Sequence, residues 1–415
     1  MQKIAIIGAG ACGIMTAINA KWQNPKLDIY IFEANEELAK KLLVSGNGKC
    51  NISNANLNQE DYFGQDTSLA TYLISQFSFK DFENFCKKLG IYLQIKQDNK
   101  AYPSSNEARN VLWLLQKELE KLEIKIFFSS KITDIRLEKN QNFKLKNFER
   151  NLGSFEKVVI CSGLGAKKSL GGNEDSLNFA KTFKLQTNPS YPSLVGIKLD
   201  TNYHYKLAGL KLYSKLSLYE GKNKIASVEG DVLFTKYGLS GFGILDISQS
   251  ISFALLLKKK LILEIDFLSE QSKQDLEEML LANSKNLGLQ KNLDILSILY
   301  GIIPKKLAKE CLGILHIKKE KKVSELEQND IKVIISQLSS WKFYPKETAG
   351  FEHAEVSGGG IKINEIDIKT LEAKKQKNLF FGGECLDIVG KRGGFNLHFA
   401  WGCGFLIAKA LNKKS

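Results

Sequence analysis

Arginine is scarce in this chain: of 59 basic residues only Arg109, Arg136, Arg150 and Arg392 are Arg. The formal net charge of +14 taken alone points to nucleic acid or an anionic surface. Arg, however, is the side chain suited to forked contacts with phosphates and base edges. A charge carried almost wholly by Lys, spread over nearly every segment, reads as compositional bias, and no specific nucleic-acid partner is expected. Cysteine is sparse and unpatterned. Cys12, Cys50, Cys86, Cys161, Cys311, Cys385 and Cys403 are odd in number and contain no C-x-x-C. That excludes a disulfide framework and a zinc cluster and fits a reducing cytoplasm. The four histidines lie far apart in sequence, so no metal site is expected. No apolar run is long enough to span a membrane. The nearest, residues 251–257, is stopped by Lys258-Lys259-Lys260. The N-terminus has no signal-peptide pattern, and a cytoplasmic protein without a membrane partner is expected.

What is present is globular: 415 residues, 43% hydrophobic and 10% aromatic, too long for one simple core and consistent with two or three domains. The chain is organised around its first 33 residues. Lys3-Ile-Ala-Ile-Ile-Gly8 is a short apolar run ending in glycine, as a buried parallel strand would be. Gly8-Ala9-Gly10-Ala11-Cys12-Gly13 follows, an intact G-x-G-x-x-G. Residues 11–22 then carry good helix formers, with Ile14, Ala17, Ile18 and Trp22 on an apolar stripe. Asp28-Ile-Tyr-Ile-Phe-Glu33 is a second strand, ending in an acid twenty positions after Gly13. This is a complete dinucleotide-binding half-unit. Gly8 allows a tight turn, Gly10 lets backbone amides approach a pyrophosphate, and Gly13 lets helix and strand pack closely. The helix N-terminus favours phosphate, and Glu33 can accept hydrogen bonds from ribose hydroxyls.

After a short helix over residues 36–43, Lys41 leads into Ser45-Gly46-Asn47-Gly48-Lys49-Cys50-Asn51-Ile-Ser-Asn54. Glycines, small polar groups and lysines make a donor-rich loop. It suits the pyrimidine edge of a flavin, where negative charge develops on reduction. Together with Ala101-Tyr-Pro-Ser-Ser105, Gly230-Asp-Val-Leu-Phe-Thr235, Gly238-Leu-Ser-Gly241, Val356-Ser-Gly-Gly-Gly360, Phe381-Gly-Gly-Glu-Cys-Leu-Asp387 and Gly393-Gly-Phe-Asn396, this loop resembles a bacterial family of NAD(P)/FAD-dependent oxidoreductases. That family includes aminoacetone-oxidase-like and bile-acid 3-dehydro reductase flavoproteins, and the resemblance covers essentially the whole chain. The family usually has Arg at Lys49, Ala-Thr-Gly-Gly at Cys161-Ser162-Gly163-Leu164 and Gln at His398.

The resemblance implies FAD as cofactor, with NAD(P)H as transient reductant. It places Ala9, Cys12, Ala34, Ile132, Ser162, Gly163, Gly383, Glu384, Gly393, Gly394, Phe395, Asn396 and Leu397 beside the cofactor, along with the residues named above. Glu384, at the end of a strand over residues 378–382, is expected to hold ribityl hydroxyls. The amides that open the final helix, residues 397–411, would face the flavin. Lys49 and that helix end would stabilise reduced flavin. Asp387, Arg392, His353 and His398 are candidate acid–base or substrate-orienting groups.

Between these segments, residues 71–89 read as one or two helices before Gly90. Ser104-x-x-Glu107 has capping-box spacing and is expected to open the next helix. A strand over 125–128, a hairpin over 132–137 and 143–148, and a strand over 156–163 follow. Gly163-Leu164-Gly165 lacks a third glycine, so no separate NAD(P)H domain is expected. From residue 191 the pattern turns β-prone, at 215–219, 224–228, 231–234 and 261–267 with glycine turns between; residues 269–338 are mostly helical and highly charged. The reading is an α/β protein: a Rossmann-type, glutathione-reductase-like FAD domain (residues 1–190 and 345–415) interrupted by a β-barrel-like part (191–268) and a helical cap (269–344). The expected activity is reduction of a small enone or carbonyl compound, or oxidation of an amine, with substrate between flavin and cap. A flavin-dependent tRNA-modifying enzyme and a non-enzymatic flavin redox sensor remain as alternatives. The oligomeric state is left open.

Overall fold

Five short strands build one parallel sheet, whose inner strands are largely buried on both faces and have neighbours on both sides. In the computed structural model, which describes residues 2–200, 203–285 and 292–413, the strand order is Leu379–Phe381, Lys157–Ile160, Lys3–Ile7, Asp28–Phe32, Lys125–Phe127. Every neighbouring pair is parallel. The chain starts at the central strand, steps outward to one side, then returns to fill the other. The order therefore reverses between Lys3–Ile7 and Lys157–Ile160. At such a reversal the connections leave in opposite directions and open a crevice beyond the strand ends. Helices Ala11–Gln23 and Phe395–Leu411 pack together on this sheet.

The chain divides into two compact units, Met1–Pro192 with Ala354–Ser415, and Ser193–His353. The first carries two three-stranded antiparallel sheets. One comprises Ile132–Leu137, Phe143–Asn147 and Asn151–Phe155, the expected hairpin with a third strand added. The other comprises Ser53–Asn54, Lys100–Pro103 and Leu93–Ile95. Residues 71–89 resolve into two helices, Ser68–Gln76 and Phe79–Lys88. Ser78 caps the second by accepting from the Asp81 amide.

The expected capping box at Ser104 is corrected. Residues 103–106 are spent on a turn closed by Asn106 N–H to Pro103 O at 2.8 Å, with Asn106 at φ 52°. The helix Ala108–Lys121 then begins after Glu107 without a side-chain cap.

The second unit is built on a seven-stranded sheet with only antiparallel neighbours, in the order Trp341–Phe343, Leu261–Asp266, Lys211–Glu220, Asn223–Thr235, Gly238–Ser240, Ile197–Leu199, Pro345–Thr348. Its two edge strands are separated in sequence by Tyr344 alone, so the sheet must curl until its edges come side by side, as in a barrel. Gly230, expected in a turn, lies inside the long strand Asn223–Thr235. A Cβ there would lie 2.8 Å from Gly243 in the helix Phe242–Leu256, so glycine serves strand–helix contact. Helices Glu270–Ser284, Ile295–Tyr300, Lys305–Ile314 and Gln328–Ser339 share one apolar core with this sheet, through Leu216, Ile247, Leu276, Leu299, Leu312 and Ile335. Residues 286–291, within the expected helical stretch, lie outside the described residues.

Candidate functional site

Several of the predicted motif residues meet at the strand reversal. Gly8 turns the chain at φ +100° and sits so close to the neighbouring strand end that a Cβ would lie 2.7 Å from Cys161 O. A Cβ at Gly13 would lie 2.1 Å from Gly8 O, so only glycine lets the helix approach. Gly10 is the opposite case. It precedes the helix Ala11–Gln23, and no protein atom lies within 4 Å of where its Cβ would be. The side of the helix N-terminus facing away from the strands is therefore open, as an approaching pyrophosphate requires.

Glu33 is 7% exposed. Its Oε2 accepts from Ala9 N–H at 2.8 Å, and its Oε1 accepts from Asn35 N–H at 2.8 Å and Asn35 Nδ2 at 2.7 Å. The acid at the end of the second strand thus also braces the glycine turn, a role the motif does not reveal. Ala34 beside it is exposed.

Three remote segments converge at the same strand ends. Lys41 Nζ pairs with Glu384 Oε2 at 2.6 Å, and Glu384 Oε1 accepts from Ser357 N–H at 2.9 Å. A Cβ at Gly163 would be 3.3 Å from Glu384 Oε2 and 3.9 Å from Lys41 Nζ. Ser162 Oγ lies 2.7 Å from Ser176 Oγ, and a Cβ at Gly383 would be 3.3 Å from Cys12 Cβ. Cys12 Sγ and Cys161 Sγ are 3.1 Å apart. Burial pushes both thiols up in pKa. Among the described residues no group of His, Cys, Asp or Glu could hold a metal. Ile132 is 3% exposed, in the core of this unit.

The glycine loop is locally wound. Gly46 and Asn47 are left-handed, and Cys50 N–H closes onto Ser45 O at 2.9 Å. The Ser45 hydroxyl donates to Leu42 O at 2.7 Å. Residues 46–49 are exposed; Lys49 makes no ion pair or side-chain hydrogen bond with described residues. Cys50 is fully buried, its thiol pushed up to about 12 by burial. Asn51 is half-buried, and its Oδ1 has no hydrogen-bond partner among the described residues. A buried acceptor of this kind awaits a donor, and the N–H edge of a flavin pyrimidine ring is one.

The final helix begins at Gly394, φ +101°, where a Cβ would lie 2.2 Å from Ser53 O. Contact with the strand Ser53–Asn54 demands glycine here. Asn54 Nδ2 donates to Gly393 O and to Asp98 O, each at 3.1 Å. Asn396 locks the preceding loop, accepting from Gly390 N–H at 2.8 Å and donating to Gly390 O at 2.7 Å. Phe395 is 8% exposed against Tyr62, while Leu397 is half-buried.

The candidate acid–base residues separate. His398 is corrected from acid–base group to core residue. It is 0% exposed, with Nδ1 2.8 Å from Ser53 Oγ and Nε2 3.1 Å from Phe77 O, between the Phe77 and Phe82 rings. Desolvation lowers its pKa to about 4. Asp387 is 5% exposed; burial raises its pKa, opposed by a 2.6 Å hydrogen bond from Asn188 Nδ2. Arg392 is half-buried within electrostatic reach of Asp98. His353 lies in the other unit and is exposed. Ser53, Asn54, Lys100 and Tyr102 were given no role from sequence. Their signal was adjacency, since Ser53 and Asn54 continue the glycine loop and Tyr102 sits in a quoted motif.

The family described as HI0933-like protein Rossmann domain matches residues 2–410, and the chain belongs to that family. It is 30% identical over 410 residues to a 3-dehydro-bile acid delta(4,6)-reductase of Clostridium scindens, covering 99% of each chain. It is 26% identical over 409 residues to a ribosomal RNA dihydrouridine synthase of Escherichia coli, covering 98% of this chain and 97% of the other. Among solved structures, a 3-ketosteroid-delta4-(5alpha)-dehydrogenase of Rhodococcus jostii is similar in fold. The TM-score is 0.50 at 11% identity, covering 100% of this chain and 97% of that one. The chain is an FAD-dependent oxidoreductase. No helix among the described residues is long and apolar enough to cross a membrane.

Proposed function

We propose that this member of the HI0933-like Rossmann-domain family reduces a carbon–carbon double bond conjugated to a carbonyl group in a small molecule, using NADH or NADPH as transient reductant. The observation that carries the reading is the meeting of Lys41, Gly163 and Glu384 at the strand reversal, beside the open face at Gly10. That arrangement fits an FAD. The named relatives support the substrate class. Reduction of a 3-dehydro-bile acid and formation of dihydrouridine make one chemical demand, saturation of a C=C bond activated by a carbonyl. The relative of higher identity acts on a small molecule.

When bound, reduced FAD supplies a hydride. The Ala11–Gln23 helix end would hold the pyrophosphate and Glu33 the adenosine ribose. Glu384, fixed by Lys41 and Ser357, would hold the ribityl chain. Lys49 and the amides at Gly393 and Gly394 would offset negative charge on the ring.

RNA is the second reading, allowed by the +14 charge and favoured by the Escherichia coli relative. Anaerobic stopped-flow separates the two. The holoprotein is reduced by NADH or NADPH, then mixed with steroid and simple enones, or with ribosomal RNA fragments. Rapid flavin reoxidation by enones with a saturated product supports the proposal. Reoxidation only by RNA, with dihydrouridine formed, selects the second reading; reoxidation by neither overturns both.

A further inference from the structure

Saturating an activated C=C bond needs two deliveries. A hydride arrives at the β carbon, the π electrons move onto the carbonyl, and the resulting enolate must take a proton at the α carbon. Several titratable groups near the site are poorly placed to supply it. His398 is sealed with both nitrogens engaged. Lys41 and Glu384 hold each other. Cys50 is buried, and a guanidinium such as Arg392 does not release a proton.

The small sheet beside the glycine loop offers another group. Strand Lys100–Pro103 pairs with Ser53–Asn54, in register Ser53 to Ala101 and Asn54 to Lys100, and with Leu93–Ile95, Gln94 opposite Tyr102. The pleat puts Lys100 and Tyr102 on one face. Lys100 Cε lies 3.4 Å from where a Cβ at Gly393 would be, and Tyr102 Cε1 lies 3.0 Å from where a Cβ at Gly46 would be. That face therefore runs from the mouth of the final helix to the glycine loop, the two segments that would cradle the flavin ring. The Tyr102 ring is half-buried with Lys96 Nζ 4.7 Å from its centroid. Its hydroxyl makes no hydrogen bond with described residues. Phenol oxygens with one end packed and one end unsatisfied usually find a partner, and here a bound substrate would be it.

We infer that Tyr102 is the proton donor of the reduction, an assignment that rests on the proposed reaction. The O–H bond of Tyr102 breaks, a C–H bond forms at the α carbon of the enolate, and the phenoxide regains its proton from water. With the hydride from reduced FAD, the products are saturated carbonyl compound and oxidised FAD.

The test uses Tyr102→Phe holoenzyme, in which the ring remains and only the hydroxyl is lost. Positioned general acids contribute about 10²–10⁴-fold, so enone-driven flavin reoxidation should slow at least about 100-fold. A nitroalkene accepts hydride to give a nitronate that is stable without protonation. Its reduction by Tyr102→Phe should stay within about threefold of wild type, and nitronate should accumulate. Enone affinity for oxidised holoenzyme, read from the flavin absorbance shift, should also stay within about threefold. Enone and nitroalkene rates falling together would show a structural role and overturn the assignment. Unchanged enone reduction would overturn it as well. If wild type reduces no enone at all, the proposed reaction itself fails and the assignment falls with it.

Discussion

Replacing His398 by Gln tests how the floor beneath the candidate site is built. A carbonyl oxygen can only accept, so the 3.1 Å contact with Phe77 O puts the proton on Nε2; Nδ1 then accepts from the Ser53 hydroxyl at 2.8 Å. The ring is neutral and 0% exposed, and burial lowers its pKa from 6.5 to about 4. Between those values the unfolded chain binds a proton that the folded chain refuses. The stability contributed by the neutral ring is thus complete above pH 6.5, declines as pH falls, and is fully lost near pH 4. At 1.36 kcal/mol per pH unit the full loss is about 3 kcal/mol, and about 2.5 kcal/mol of it is gone by pH 4.5. That is a large part of a stability of about 5–15 kcal/mol. Glutamine keeps one donor for Phe77 O and one acceptor for Ser53 but does not titrate. Urea unfolding of both proteins from about pH 7.5 to 4.5, followed by the fluorescence of Trp401, whose Nε1 donates to Ile52 O at 3.2 Å, gives the difference in which other titrating groups cancel. Wild type should lose about 2.5 kcal/mol more than His398→Gln. A difference that does not change with pH would refute the account of His398 as a sealed neutral residue.

Glu33→Arg should weaken FAD binding at least about tenfold in a fluorescence titration of apoprotein, since it removes a ribose acceptor and the brace on Ala9; equal affinity would show that the half-site is misassigned. Gly394→Ala should destabilise the protein by about 2 kcal/mol or more, because a Cβ would meet Ser53 O at φ +101°. A thermal midpoint within about 1 °C of wild type would contradict that close contact. Denaturing the purified yellow protein should release non-covalent FAD, and release of FMN would contradict the site. Binding to arbitrary RNA should be weak and fall steeply between about 50 and 200 mM salt. Tight, sequence-selective binding at the higher salt would favour the RNA reading.

The first two strands of the parallel sheet, the glycine turn and Glu33 were legible from residues 1–33, because strand, turn and helix are local and each glycine has a stereochemical reason. The convergence of Lys41, Gly163 and Glu384 was legible only as likeness to a family, since residues 343 positions apart meet through sheet order. His398 and Tyr102 show the remaining gap. Both are polar residues in plausible motifs, and sequence alone favoured the histidine. Burial decided otherwise: packing between Phe77 and Phe82 closes both nitrogens of His398, while strand register turns Tyr102 toward Gly46 with its hydroxyl unengaged by any described residue. Local order follows from neighbouring residues. Which polar group is left to react depends on desolvation and on strand pairing across the fold, and only the tertiary structure decided it.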